Sequence, residues 1–147
     1  MNKLKTILLA EDNPNDVELT LSALSEQKLA NRVVVVHDGV EVIEYLRCEG
    51  KFKHRDKGNP AVILLDIKMP RMDGIEVLQA IKNEPAMKTI PVVILTSSRE
   101  EPDLKHCYEL GVNAYVVKPV DFMEFMEAIK HLGVFWALIN ELPHEIE

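Results

Sequence analysis

Five short runs of apolar, mostly β-branched residues constrain this chain more than any other feature: Ile7–Ala10, Val33–Val36, Val62–Leu65, Val92–Leu95 and Ala114–Val117. None alternates with polar residues. Continuous runs of this kind form strands buried on both faces, as in a parallel sheet covered by helices. The intervening segments have helical length and pattern, at about 14–28, 39–48, 74–83 and 100–109, and a last helix starts near 121. Strand and helix alternate five times, which requires right-handed crossovers and predicts a doubly wound α/β domain with a five-stranded parallel sheet and five helices.

With 147 residues, 47% of them hydrophobic and 28% charged, the chain has enough apolar surface for one core without metal or disulfide staples. Cys48 and Cys107 stand alone, at neither metal nor redox spacing, and read as buried thiols in a reducing compartment. The net charge of -7 opposes a phosphate backbone, so no direct DNA binding is expected. Lys3 and Lys5 precede an apolar run that Glu11 and Asp12 interrupt, and Val134–Ile139 is far too short to span a bilayer. A cytoplasmic protein with no membrane partner is expected.

Ligands of doubly wound sheets bind beyond the carboxyl ends of the strands. There this chain places Glu11 and Asp12 after the first strand, Asp66 after the third, Thr96 after the fourth, and Lys118 with Pro119 after the fifth. Strands 1 and 3 are expected to be central neighbours, so three carboxylates converge. Carboxylates that close repel strongly, and a hard divalent cation with oxygen ligands relieves the conflict; Mg²⁺ fits best. Lys118 supplies a second positive charge, and together they make a receptacle for a phosphoryl group. Asp66 is then the nucleophile that attacks phosphorus and becomes an acyl phosphate, and the Thr96 hydroxyl is a movable donor toward it.

Glu11-Asp12, Asp66 within Leu64-Leu65-Asp66-Ile67-Lys68-Met69-Pro70-Arg71-Met72-Asp73-Gly74, Thr96 after Pro91-Val92-Val93-Ile94-Leu95, and Lys118-Pro119 together resemble the receiver domain of two-component response regulators over about residues 5–132. The resemblance implies the flavodoxin-like strand order 2-1-3-4-5. It implies Mg²⁺ held by Asp12, Asp66 and the backbone carbonyl of Lys68, with Glu11 acting through a metal-bound water. It implies a sensor histidine kinase as phosphoryl donor, and a phosphoacceptor that catalyses its own phosphotransfer and dephosphorylation instead of an enzyme with a separate substrate. Tyr115 becomes an aromatic switch that turns inward with Thr96; its plain alternative is a half-buried strand residue. Lys68 and Ser98 flank the path of attacking water and tune phosphoryl lifetime, or Lys68 is an exposed loop lysine. Gly74 allows close backbone approach, and Pro119 follows a cis peptide.

Residues 1–132 thus read as a receiver domain and 133–147 as a C-terminal extension too short for an effector domain. On an extended last helix, Phe122, Phe125, Ile129, Leu132, Trp136 and Ile139 share a stripe, with Met123, Met126 and Phe135 beside it. Gly133 interrupts it at a cost of about 1 kcal/mol. The stripe either folds back on its own domain or forms a partner or homodimer interface, the preferred reading. Phe135-Trp136, Leu142-Pro143 and the enlarged Gly50–Pro60 segment are similar to response regulators of phytochrome kinases, which implies a phytochrome-type kinase partner. Lys51, Lys53, His54, Arg55 and Lys57 form a basic cluster that is a solvated loop or a contact for an acidic partner.

Two enzyme readings fail on spacing. A haloacid-dehalogenase-like phosphatase needs an Asp two residues after the nucleophile, where Lys68 stands, and a dinucleotide-binding turn needs glycines where Glu11-Asp12-Asn13-Pro14 stands. A docking module independent of phosphorylation has no need of all five of Glu11, Asp12, Asp66, Thr96 and Lys118.

Overall fold

A computed structural model describes residues 6–25, 29–112 and 114–133. Its strands are β1 (Ile7–Ala10), β2 (Val33–Val36), β3 (Val62–Asp66), β4 (Val92–Thr96) and β5 (Ala114–Val117), and its helices are α1 (Pro14–Leu24), α2 (Gly39–Arg47), α3 (Gly74–Lys82), α4 (Pro102–Glu109) and α5 (Phe122–Leu132). The five strands are parallel in the order β2-β1-β3-β4-β5. In register, Ala10 pairs with Val36 on one side and Leu65 on the other, so Glu11 and Asp66 emerge from adjacent strands.

Strands β1, β3 and β4 are buried along their whole length because both sheet faces are covered. One core holds Leu8, Ile63, Leu65 and Ile94 against Val42, Val77, Leu78 and Leu104; the other holds Ile7, Leu9, Leu64 and Leu95 against Leu24, Phe125 and Ile129. Residues alternating along one strand therefore feed opposite cores, which is why the sequence shows an unbroken apolar run.

Side-chain caps fix where the helices start. Asn13 accepts the Asn15 and Asp16 N–H groups, Asp38 accepts that of Glu41, Asp121 accepts that of Glu124, and Asp73 forms a reciprocal capping box with Glu76. The helix expected over 14–28 ends at Leu24, with the Ser25 hydroxyl donating to the Ser22 carbonyl; residues 26–28 lie outside the described set. Helix α5 stops at Leu132 because Gly133, at φ 78°, closes it in the left-handed conformation. That replaces an uninterrupted helix running on toward Trp136 and Ile139, which lie outside the described residues, as does the remainder of the 133–147 extension after Gly133.

Within α5, Phe125, Met126 and Ile129 are buried in the sheet's core while Met123 is 67% exposed. Most of the expected stripe thus folds onto its own domain. Cys107 is buried, but Cys48 is only half-buried and caps α2 at φ 57°. The basic segment is partly structural: Arg55 donates to the carbonyls of Tyr45, Asp56 and Gly58 and stacks 4.0 Å over the Tyr45 ring, and Lys51 pairs with Glu41 at 2.8 Å.

The first turn of α2 sits directly on the β3–α3 loop: a Cβ on Gly39 would overlap the Met72 carbonyl oxygen and crowd Val77. Helix propensity favours Gly39→Ala by about 1 kcal/mol, whereas overpacking costs about 1–3 kcal/mol. The clash is backbone to side chain, so overpacking wins. Gly39→Ala is expected to lower the free energy of urea unfolding, and a stabilised variant would show that the loop yields freely.

Candidate functional site

Because β1, β3, β4 and β5 all end on the same edge, the residues that follow them meet in one cleft of about 230 Å³. Glu11, Asp12, Asp16, Asp66, Lys68, Thr96 and Lys118 line it. Carboxylate oxygens of Glu11, Asp12 and Asp66 all lie within 4.8 Å of one another. Glu11 is fully buried and Asp66 nearly so, while Asp12 is exposed at the rim.

Lys118 reaches into this cluster with its ammonium 3.0 Å from Asp16 Oδ2, 3.2 Å from Glu11 Oε1 and 3.4 Å from Asp66 Oδ2. The Lys118–Pro119 peptide is cis, and the Lys118 N–H donates to the Thr96 carbonyl at 2.8 Å. Burial alone would lower the Lys118 pKa; the hydrogen bond to Asp16 and the charges of Asp66 and Glu11 outweigh it and raise the pKa. The Glu11 pKa also rises, which for a carboxylate favours the neutral form. Its burial, the Asp66 charge and a hydrogen bond shared with Asp66 push it up to about 7, against the Asn13 N–H and the Lys118 charge.

One ammonium does not offset four carboxylates. Burial first, and the Asp66 charge after it, drive Glu11 to bind a proton, and a hard divalent ion with oxygen ligands fits the donor set of three clustered carboxylates. Asp12, Asp66 and Glu11 offer the carboxylates, and Lys68 borders the same cleft.

Thr96 and Tyr115, expected from the sequence to act as a switch, have defined positions. The Thr96 hydroxyl donates to the Ser98 carbonyl at 2.9 Å. Tyr115 is half-buried; its hydroxyl accepts from Arg99 Nη1 at 3.0 Å, Arg99 Nη2 pairs with Glu124 at 3.3 Å, and Tyr108 packs edge-on against the Tyr115 ring. The Lys68 and Ser98 side chains belong to exposed residues.

Gly74 holds the β3–α3 loop closed: its N–H donates to the Ile67 carbonyl at 2.7 Å, and a Cβ there would overlap the Asp66 carbonyl oxygen. Arg71, at φ 64°, ties the same loop to the α2 cap through a bidentate pair with Asp38 at 2.9 and 3.2 Å. Sequence reasoning missed two participants, Asp16 and Arg99. The signal for Asp16 was its place in the first turn after the Asn13 cap, at the helix end that faces the cleft; for Arg99 there was none.

The model of the response regulator receiver domain matches residues 7–130. The chain is 34% identical to Response regulator Rcp1 from Synechocystis sp., covering 97% of this chain and 95% of that protein. The structure of the Mn²⁺-bound form of Rcp1 superposes with a TM-score of 0.71 over 90% of this chain and 94% of that one. The bacteriophytochrome response regulator AtBRR is 58% identical, with a TM-score of 0.87 over 95% of this chain and 99% of that one. The phosphorylated cyanobacterial phytochrome response regulator RcpA is 40% identical, with a TM-score of 0.73 over 91% and 94%.

The raised Glu11 pKa fixes the sign of a pH effect. Folding strengthens proton binding at Glu11, so in metal-free protein its contribution is fully present below about pH 4.5 and is lost as pH rises through about 7. In EDTA, the wild-type chain is expected to lose on the order of 1–3 kcal/mol of unfolding free energy relative to Glu11→Gln between pH 5 and 8. Parallel pH profiles for the two proteins would show that Glu11 is not perturbed.

Proposed function

This chain belongs to the response regulator receiver family, and from that we propose that Asp66 accepts a phosphoryl group from a histidine kinase and that the phosphorylated domain signals through altered protein contacts. One observation carries the reading: a buried carboxylate, Asp66, lies within hydrogen-bonding reach of Lys118 and inside a three-carboxylate cluster.

In the proposed step, an Asp66 carboxylate oxygen attacks phosphorus in line as the phosphorus–nitrogen bond of a phosphohistidine breaks, and the electron pair stays on that nitrogen of a ring protonated at its other nitrogen, which leaves as neutral imidazole. Asp12, Asp66, the Lys68 carbonyl and, through a water, Glu11 would hold Mg²⁺, which when bound supplies charge neutralisation and orientation of the phosphoryl oxygens. Lys118 passes one of its N–H donors from Asp66 to a phosphoryl oxygen. The Thr96 hydroxyl leaves the Ser98 carbonyl to donate to the same group, and Tyr115 leaves Arg99 to occupy the space Thr96 vacates. Hydrolysis of the acyl phosphate on the same residues resets the domain.

The names of RcpA and AtBRR support a phytochrome-type kinase as donor. The output surface we propose is the edge formed by α4, β5 and α5, where Tyr108 and Met123 are the exposed apolar groups. It serves a homodimer.

Asp66→Asn is expected to remain folded and to take up no phosphoryl group from a small donor such as acetyl phosphate, read by intact mass; undiminished uptake would move the acceptor elsewhere. Sedimentation with Mg²⁺ and beryllofluoride is expected to show a rise in mass for the wild-type chain and none for Asp66→Asn. A mass that stays constant in both would direct the output to a different protein instead of a second copy.

A further inference from the structure

The Lys118 ammonium has three N–H donors, and three carboxylates surround it. Its shortest contact, 3.0 Å, is to Asp16, which lines the same cleft but is not one of the three clustered carboxylates, Glu11, Asp12 and Asp66. The contact to the acceptor, Asp66, is the longest at 3.4 Å. Asp16 is held in place from its own helix: Asn13 caps α1 by accepting the Asp16 N–H at 3.1 Å, which sets the first turn against the cleft. Its side chain is 27% exposed, against 7% for Asp66, so Asp16 stays partly solvated while it competes for a half-buried cation.

Phosphorylation moves negative charge outward from the Asp66 carboxylate to the phosphoryl oxygens. Lys118 must follow that charge, and it starts from a site where a second anion holds it. We propose that Asp16 is a positioning residue that retains Lys118 on α1 in the unphosphorylated chain, so that a phosphoryl group on Asp66 is seated in competition with Asp16 for the ammonium. The consequence is a resting state made more favourable and a phosphorylated state made less so, by a residue that touches neither the metal nor the phosphorus. Asp16 also adds a negative charge beside the incoming anion. Both effects have the same sign. Toward Mg²⁺ the sign reverses, because the same charge attracts a cation.

This inference rests on the receiver reading and is tested apart from it. Mg²⁺ affinity, and then beryllofluoride affinity at saturating Mg²⁺, are measured by calorimetry for the wild-type chain, Asp16→Asn, Asp16→Ala and Asp66→Asn. Removing one charge a few ångströms from the bound anion, at an effective dielectric between that of the surface and bulk water, is expected to tighten beryllofluoride roughly 3- to 10-fold in both Asp16 variants. Mg²⁺ affinity weakens in the same two proteins. Structural damage to α1 would weaken both ligands, and loss of the Asp16 charge acting through space would tighten beryllofluoride just as much in a Lys118→Met background; a tightening that shrinks in that background identifies the competition, and one that persists there in full overturns it. Beryllofluoride affinity that is unchanged or weaker in either Asp16 variant overturns the proposal. If instead the wild-type chain binds no beryllofluoride, or Asp66→Asn binds it equally well, the receiver reading itself fails and the inference with it.

Discussion

The contact among Lys118, Glu11, Asp16 and Asp66 is the interaction around which the domain is built. Burying a carboxylate is costly unless it is paired and hydrogen-bonded. Glu11 has no exposed surface, yet it accepts an N–H from Asn13, shares a hydrogen bond with Asp66 and meets the ammonium. Such an arrangement survives only if the strands carrying its members cannot separate. The paired ladders linking β1 to β3, β3 to β4 and β4 to β5, sandwiched between two apolar cores, supply that rigidity.

The loops at this edge are braced as firmly as the strands. Asp66 begins a loop that Gly74 closes through the Ile67 carbonyl and that Gly39 supports through Met72. Arg71 fastens its exposed side to the residue that caps α2. The pair is exposed on the arginine side and adds little stability by charge alone. Its value is geometric, since it joins the β3–α3 loop, which borders the cleft through Ile67 and Lys68, to the start of α2. The proposed in-line attack of Asp66 on phosphorus needs that kind of fixed surround.

Against this fixed frame, Thr96 and Tyr115 are the parts proposed to move. Each is satisfied by a neighbour outside the cleft, Thr96 by the Ser98 carbonyl and Tyr115 by Arg99, which is itself paired with Glu124 of α5. An arrangement with satisfied hydrogen bonds on one side and an anionic ligand on the other has the makings of two discrete states, which is what a receiver domain requires.

The sequence by itself determined the sheet and the residues at its carboxyl edge, because strands buried on both faces leave unbroken β-branched runs and most runs end in a chemically unusual residue; the strand order came from the resemblance to receiver domains. Helix starts matched the sequence pattern better than helix ends, since side-chain caps such as Asn13, Asp73 and Asp121 anchor the starts in the structure. Where α1 stops at Leu24 and how Gly133 ends α5 depended on backbone conformation that a periodic pattern does not report. Only the tertiary structure decided that Lys118 rests nearer Asp16 than Asp66, that Arg99 holds Tyr115, and that Arg55 stitches a loop that reads as a basic patch. Each of the first two joins residues from different elements, and the third reaches ten residues back to the Tyr45 carbonyl. No spacing along the chain encodes such meetings; they follow from packing, which selects among the partners a charge could have.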